Sequence, residues 1–215
     1  GSGIFRSTDT GGAFALVSGA GASGLPTGGT TDLAADPGNN ARLYTAVING
    51  PARGIYRSID TGATWTKVSD ASVDGVITAG TGSVRIKIVV GAAGQVFLAI
   101  IGPSNNQRLA EVFRSPDGVT GWAALGVPTT TEQNGVLFGA HPGGQGSIHL
   151  SIGADGTDSN IVYIGGDRQP YFGEGVSGSV SFFPNSIGAG DYSGRLFRGD
   201  ASAAVAADAG IERVA

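Results

Sequence analysis

Apolar residues along this chain come in short runs, several of them alternating with polar positions, and nearly every run ends at a cluster of Gly, Asn, Asp or Pro. No stretch holds a 3.6-residue apolar period over the length of a helix, so the pattern predicts strands and turns. Residues 31–35 predict a short strand, with a turn at Asp36-Pro37-Gly38-Asn39-Asn40 behind it. Residues 42–48 alternate, Asn49-Gly50-Pro51 interrupts, and residues 54–58 and 64–68 supply a third and a fourth strand. The order then repeats: 84–90, a turn at 91–94, and strands at 95–101, 111–115 and 122–125. A further unit reads as strands at 147–152, 161–165 and 195–198, with a turn at 153–160 and a long Gly- and Ser-rich insertion at 167–193. Residues 201–215 are rich in Ala and match no strand template.

Four antiparallel strands in about 40 to 57 residues is the size of a propeller blade. One such sheet cannot bury both faces by itself, and radial stacking lets each cover its neighbour. The expected fold is therefore all-β, with about three to four blades: a remnant at 1–18, blades at 30–70, 82–127 and 146–200, and a tail at 201–215. Residues 3–17 supply only the last two strands of a unit. Either the far C-terminus provides the missing two, or the chain is part of a larger ring, which is the reading adopted. The initial Gly1-Ser2-Gly3 reads as a cloning scar or, for Gly3, as the start of the first repeat.

The units share a sentence: GIFRSTDTGGAF at residues 3–14, GIYRSIDTGATW at 54–65 and EVFRSPDGVTGW at 111–122. The serines Ser7, Ser58 and Ser115 lie 51 and then 57 residues apart, and an aromatic (Phe14, Trp65, Trp122) closes each copy. Asp and Ser side chains bond nearby backbone N–H groups and fix tight turns; Gly supplies positive φ; the aromatic carries apolar area into the layer between sheets. The expectation is structural, and Arg6, Arg57 and Arg114, each beside its Ser, are expected to pair or pack once per blade. The sentence resembles the Asp-box, or BNR repeat, whose usual form is Ser-x-Asp-x-Gly-x-Thr-Trp. Ser58, Asp60, Gly62, Thr64 and Trp65 match it fully; Ser7, Asp9 and Gly11 keep the core with Phe14 for Trp; Ser115, Asp117 and Trp122 keep it with the glycine moved to Gly118. Families with this repeat include sialidases, xyloglucan-degrading glycosidases, sortilin-type receptors and photosystem assembly factors. The stretch at 33–46, with Asp36-Pro37 ahead of Leu43-Tyr44, resembles the blade opening of the xyloglucanase-like group. The resemblance implies a propeller scaffold from an exported, cell-surface or periplasmic bacterial protein, with the repeated turns away from any catalytic centre.

Charge narrows the partners. With 13 basic and 17 acidic residues the net charge is −4, and the cations are scattered arginines with only Lys67 and Lys87 added; this argues against nucleic acid and an anionic membrane surface. No apolar run reaches transmembrane length. Without Cys there are no disulfides or thiolate metal sites.

Candidate chemistry collects late in the chain. Sialidase signatures do not carry over: the Arg-Ile-Pro element is absent, and Tyr171 with Glu174 is merely the nearest Tyr/Glu pair. An inverting glycosidase needs two carboxylates across a cleft, for which Asp167 and Asp191 are the candidates; Asp167 ends a strand and opens the longest loop, where function concentrates. Tyr171, Phe172 and Tyr192 in that loop are candidates for stacking on sugar rings, with loop anchoring as the alternative. Asp155 and Asp158 could offer oxygens to Ca²⁺, although a plain β-turn explains them and EF-hand spacing is missing. His141 and His149 lack a third ligand by spacing. Residues 143–147 lack the Lys and the strand–helix setting of a phosphate loop. Arg198-Gly199-Asp200 spells an integrin tripeptide inside a degenerate repeat. The expected function is a non-catalytic binding or scaffold module of a larger exported or surface protein, with the remaining blades, copies of itself or a glycan as partners. The alternatives are a glycoside hydrolase whose site is incomplete in this chain, and a self-assembling repeat.

Overall fold

The computed structural model describes residues 3–79, 85–102, 106–132, 135–178 and 182–202, and the backbone of 211–213. Gly1-Ser2, the start of the strand expected at 84, and residues 203–210, 214 and 215 of the tail lie outside the described residues.

Short alternating runs become strands wherever a turn residue lets the chain reverse. A first hairpin joins β1 (Phe5–Arg6) to β2 (Ala15–Leu16). A four-stranded sheet follows from β3 (Thr30–Asp36), β4 (Asn39–Val47), β5 (Gly54–Ser58) and β6 (Thr66–Lys67). After helix α1 (Ala71–Thr78) comes a second, from β7 (Arg85–Val90), β8 (Val96–Ile101), β9 (Leu109–Ser115) and β10 (Ala123–Ala124). A small hairpin of β11 (Thr130–Thr131) and β12 (Leu137–Phe138) and a one-turn helix α2 (Gly146–His149) lead to a third. Its strands are β13 (Ser151–Ala154), β14 (Ile161–Arg168), β15 (Gly194–Asp200) and β16 (Ile211–Arg213). In all three sheets spatial order follows chain order and every neighbouring pair is antiparallel. The architecture is all-β, built of four-stranded propeller-type blades.

The stacking of these sheets is written most plainly in β8, where all six side chains are buried. Successive strand residues point to opposite faces. Leu98 and Ile100 face the first sheet and join Tyr44, Ala46 and Ile55. Phe97, Ala99 and Ile101 face the third and join Val162, Ile164 and Phe197. One strand thus serves two cores, which is why its sequence is a continuous apolar run and not an alternation. Polar bonds set the spacing of the first strands of adjacent sheets: Thr31 Oγ1 donates to Ile86 O at 3.1 Å, and the Asp32 carboxylate accepts from Ile88 N at 2.7 Å and Lys87 Nζ at 3.3 Å.

Several elements depart from the sequence reading: the turn expected at 36–40 narrows to Pro37-Gly38 between β3 and β4, the β11–β12 hairpin is additional, and three further departures have identifiable causes. The run at 147–152 alternates like a strand, but residues 146–149 form a helical turn and the strand begins at Ser151. The cause is tertiary: Gly146 N donates to Gln107 O at 2.7 Å, and a Cβ at Gly146 would come within 2.5 Å of that oxygen and of Ile101. Pinned there, the chain must turn once before Leu150 can enter the core between the second and third sheets. The Ala-rich tail also contains a strand: β16 pairs with β15 through Phe197↔Arg213 and Gly199↔Ile211, so the C-terminal segment joins the third sheet and not the β1–β2 hairpin. Helix α1 was hidden by its shortness, yet it is well signalled. Asp70 caps it, accepting from Ser72 N and Val73 N. Val73 and Ile77, four residues apart, are fully buried in the core between the first two sheets.

Candidate functional site

The repeated sentence folds as a repeated turn. Ser7 Oγ donates to Asp9 Oδ1 at 2.7 Å while accepting from Gly11 N, and Asp9 Oδ1 accepts from Ala13 N. Ser58, Asp60, Gly62 and Thr64 repeat this net, with Thr64 Oγ1 added on Asp60 Oδ2 at 2.6 Å. In the third copy Ser115 accepts from Gly118 N, and Asp117 gathers Val119 N, Thr120 N and Thr120 Oγ1. The Thr64 hydroxyl and N–H, then Ser58, hold the Asp60 carboxyl down at about 2, and the Thr120 N–H leads the same effect on Asp117. The glycines take φ of 94°, 82° and 69° at Gly11, Gly62 and Gly118. These carboxylates are consumed by their own turns.

The closing aromatics differ among themselves. Trp65 and Trp122 are buried, and Trp122 Nε1 donates across the sheet interface to Val68 O at 2.7 Å. Phe14 is 64% exposed, together with Phe5 and Leu16: among the described residues no sheet covers that side of the β1–β2 hairpin. The repeated arginines tie neighbouring units. Arg6 donates to Thr61 O and Thr61 Oγ1 in the next turn, and Arg114 to Asn160 Oδ1 and Ser159 O in the sheet that follows. Arg57 lies across the strand from Tyr44.

A polar cavity of about 590 Å³ opens at the end of β14. Asp167, Arg168, Gln145, His149, Tyr171 and Tyr192 line it, with glycines 143, 166 and 194. Its base is made by close approach. Asp167 N donates to Ala140 O at 3.0 Å, and a Cβ at Gly166 would sit 1.7 Å from the same oxygen, so only glycine fits. The Asp167 carboxylate turns toward the 143–145 segment and accepts from Gly143 N at 3.2 Å and Gln145 N at 3.1 Å. It is 6% exposed. Behind it His141 is buried with no partner on either ring nitrogen. Burial, opposed by the Asp167 charge and assisted by His149, lowers its pKa to about 4.

The walls come from the loop between β14 and β15. Buried Asn185 organises it, donating to Asp191 O and accepting from Ile187 N and Ala189 N. Ser186 N reaches Pro170 O, and Gln169 N reaches Ser193 O. Loops closed on themselves by their own groups in this way are frequently functional. Arg168 forks onto Glu174, NH1 to Oε2 at 2.7 Å and NH2 to Oε1 at 2.9 Å, and its guanidinium carbon lies 4.0 Å from the Tyr171 ring centroid. Phe182 and Phe183 meet Tyr171 edge-on, and Tyr192 meets Phe183 edge-on at 5.2 Å. One face of Tyr171 is therefore taken by Arg168, whereas Tyr192 is 68% exposed. Aromatic residues in the sequence pointed at this loop, and Glu174 stood out only as the nearest glutamate to Tyr171; Arg168 and Gln145 had no signal of their own, because the bonds of Arg168 to Glu174 and of Gln145 to Asp167 form only in the fold.

The remaining candidates are dispersed. Asp191 is exposed, accepts from the Ser193 hydroxyl, and is not in the cavity lining. Phe172 is half exposed and outside the lining too, its N–H on Pro184 O. Asp155 Oδ1 accepts from Thr157 N, Thr157 Oγ1 and Asp158 N, while Asp158 Oδ1 accepts from Asn160 N: a self-satisfied turn. Among the described residues no group of three or more His, Cys, Asp or Glu could hold a metal ion. Arg198, Gly199 and Asp200 lie within β15, all three paired with β14 and the first two also with β16. No helix of the described residues is long and apolar enough to cross a membrane.

No protein-family model matches the chain. A xyloglucanase of Hypocrea jecorina (strain QM6a) is 36% identical over 102 residues, 45% of this chain and 12% of that protein. Among solved structures, a GH74 enzyme of Niastella koreensis aligns with 94% of this chain and 33% of its own, at a TM-score of 0.50 and 17% identity. The GH74 xyloglucanase from Xanthomonas campestris covers the same shares at a TM-score of 0.42 and 14% identity. The chain spans a third or less of each of these proteins, and the likeness is one of fold: a xyloglucanase-like, propeller-type architecture.

Proposed function

We propose that this chain is a glycan-binding module of a larger exported or cell-surface protein, its repeated turns Asp-boxes and its ligand site the cavity beneath the β14–β15 loop. The carrying observation is that cavity: a polar base beside an exposed aromatic ring, the pairing that suits the hydroxyl-rich edges and apolar faces of a sugar. Xyloglucan oligosaccharides are the first ligands to try, given the xyloglucanase relative. The module acts by binding and not by turnover. Among the described residues Asp167 is the only carboxylate in the lining, and it is held by two backbone N–H groups, while Asp191 stands outside. The exposed Phe5, Phe14 and Leu16 are the surface on which further blades or a second copy would pack.

The second reading is a glycoside hydrolase completed by residues outside this chain, and the 36% identity to a xyloglucanase favours it. Calorimetric titration with a xyloglucan oligosaccharide, run beside a reducing-end turnover assay, separates the two. Binding without turnover, weakened about tenfold in Tyr192→Ala by loss of roughly 1.4 kcal/mol of ring contact, is the expected result. Turnover that disappears in Asp167→Asn would establish the hydrolase instead.

A further inference from the structure

Among the described residues Arg168 is the only arginine in the cavity lining, and an arginine in a sugar site would ordinarily recruit a carboxylated sugar. Here its fork is already occupied. Both terminal nitrogens bond Glu174, NH1 also donates to Gln169 O at 3.0 Å, and the guanidinium plane rests on Tyr171. Glu174 is tied in turn: its Oε2 accepts from Tyr171 N at 2.8 Å. The pair is largely withdrawn from solvent, with side chains 18% and 22% exposed. The Asp167 carboxylate is close to Arg168 as well: a Cβ at Gly143 would lie 3.0 Å from Asp167 Oδ2 and 3.4 Å from Arg168 Nε. An incoming carboxylate would have to displace Glu174 from a bidentate pair while facing a second negative charge.

We propose that Glu174 is the specificity-determining residue of this site: by occupying Arg168 it makes the cavity select neutral sugars and reject uronates and sialates. Neutralising Glu174 removes the counter-charge from the guanidinium and turns the same cavity toward acidic sugars. This rests on the glycan-binding reading of the cavity.

The test measures dissociation constants of wild type and Glu174→Gln for two probes, a xyloglucan heptasaccharide and a galacturonic acid tetrasaccharide, each at low and high NaCl. Wild type should bind the neutral probe about tenfold or more tighter than the acidic one, and Glu174→Gln should shift that ratio about tenfold or more toward the uronate. The gain should shrink at high salt and vanish in the double variant Arg168→Gln with Glu174→Gln. Arg168→Gln alone should weaken uronate binding further; a gain or no change there overturns the proposal even should Glu174→Gln fold poorly. A folded Glu174→Gln protein with an unchanged ratio overturns it too, with the glycan-binding reading intact. A wild type that binds neither probe removes the glycan-binding reading and this inference together.

Discussion

Replacing Asp167 with Asn separates a clamp from a catalyst. The carboxylate accepts two backbone N–H groups, one per oxygen, at 3.2 Å from Gly143 and 3.1 Å from Gln145. An Asn side chain keeps one acceptor and sets an NH₂ group against the other N–H. One charge-assisted bond is lost and a donor of the 143–145 turn faces another donor, which costs about 2–3 kcal/mol at a site only 6% exposed. For a domain of this size that corresponds to a fall of about 4–12 °C in melting temperature. Thermal denaturation followed by circular dichroism reads the shift, with Asp191→Asn as a control that should stay within about 1 °C because its carboxylate is exposed. Glycan affinity should fall with the melting point, since the turn that Asp167 holds forms the cavity base. Were Asp167→Asn to melt like wild type while a hydrolytic rate vanished, the clamp argument would be refuted, and Asp167 would be an acid or base free to exchange protons.

Other consequences follow from the same packing. His141 is buried without a partner, and its pKa is lowered to about 4 in the fold against an ordinary value of 6.5. Between these values the unfolded chain binds a proton that the folded chain refuses. Stability should therefore drop by about 3 kcal/mol as pH falls from 6.5 to 4, then level with respect to this group. Urea melts of wild type and His141→Leu across that range would show it as a slope the variant lacks; equal slopes would count against the buried imidazole. Trp122→Phe removes the indole N–H from Val68 O between two sheets and should cost about 1–3 kcal/mol, read as a lower urea midpoint at constant m-value. Phe14→Ala, at a position 64% exposed, should move stability by under about 0.5 kcal/mol in this chain.

Elements whose partners are local were readable from the residues. Strand β5 matches its expected limits, since Gly54 and the Ser58–Asp60 turn are both encoded nearby. Strand β8 falls where the second strand of its unit is expected, and it is an unbroken apolar run because both its faces are covered. What escaped depends on distant contacts. The turn at 146–149 exists because Gln107 O and Ile101 hold Gly146, and three residues of an Ala-rich tail become a strand because β15 offers an open edge. Hairpin β11–β12 is two residues to a strand, and it docks where buried Arg195 bonds Glu132 and Phe138 O. The site divides in the same way. The long loop and Asp167 stood out in the sequence, as did Tyr171 and Tyr192. That Tyr171 is capped by Arg168, that Glu174 occupies Arg168, and that Asp191 stands apart are facts of folding.

The central claim, that the cavity beneath the β14–β15 loop binds a glycan, is tested most directly by amide chemical-shift mapping during titration with a xyloglucan oligosaccharide. The account predicts saturable shifts at Gly143, Gln145, Gly166, Tyr171, Tyr192 and Gly194, the residues that enclose the cavity. No shifts, or shifts confined to another surface such as that of Phe5, Phe14 and Leu16, would contradict it.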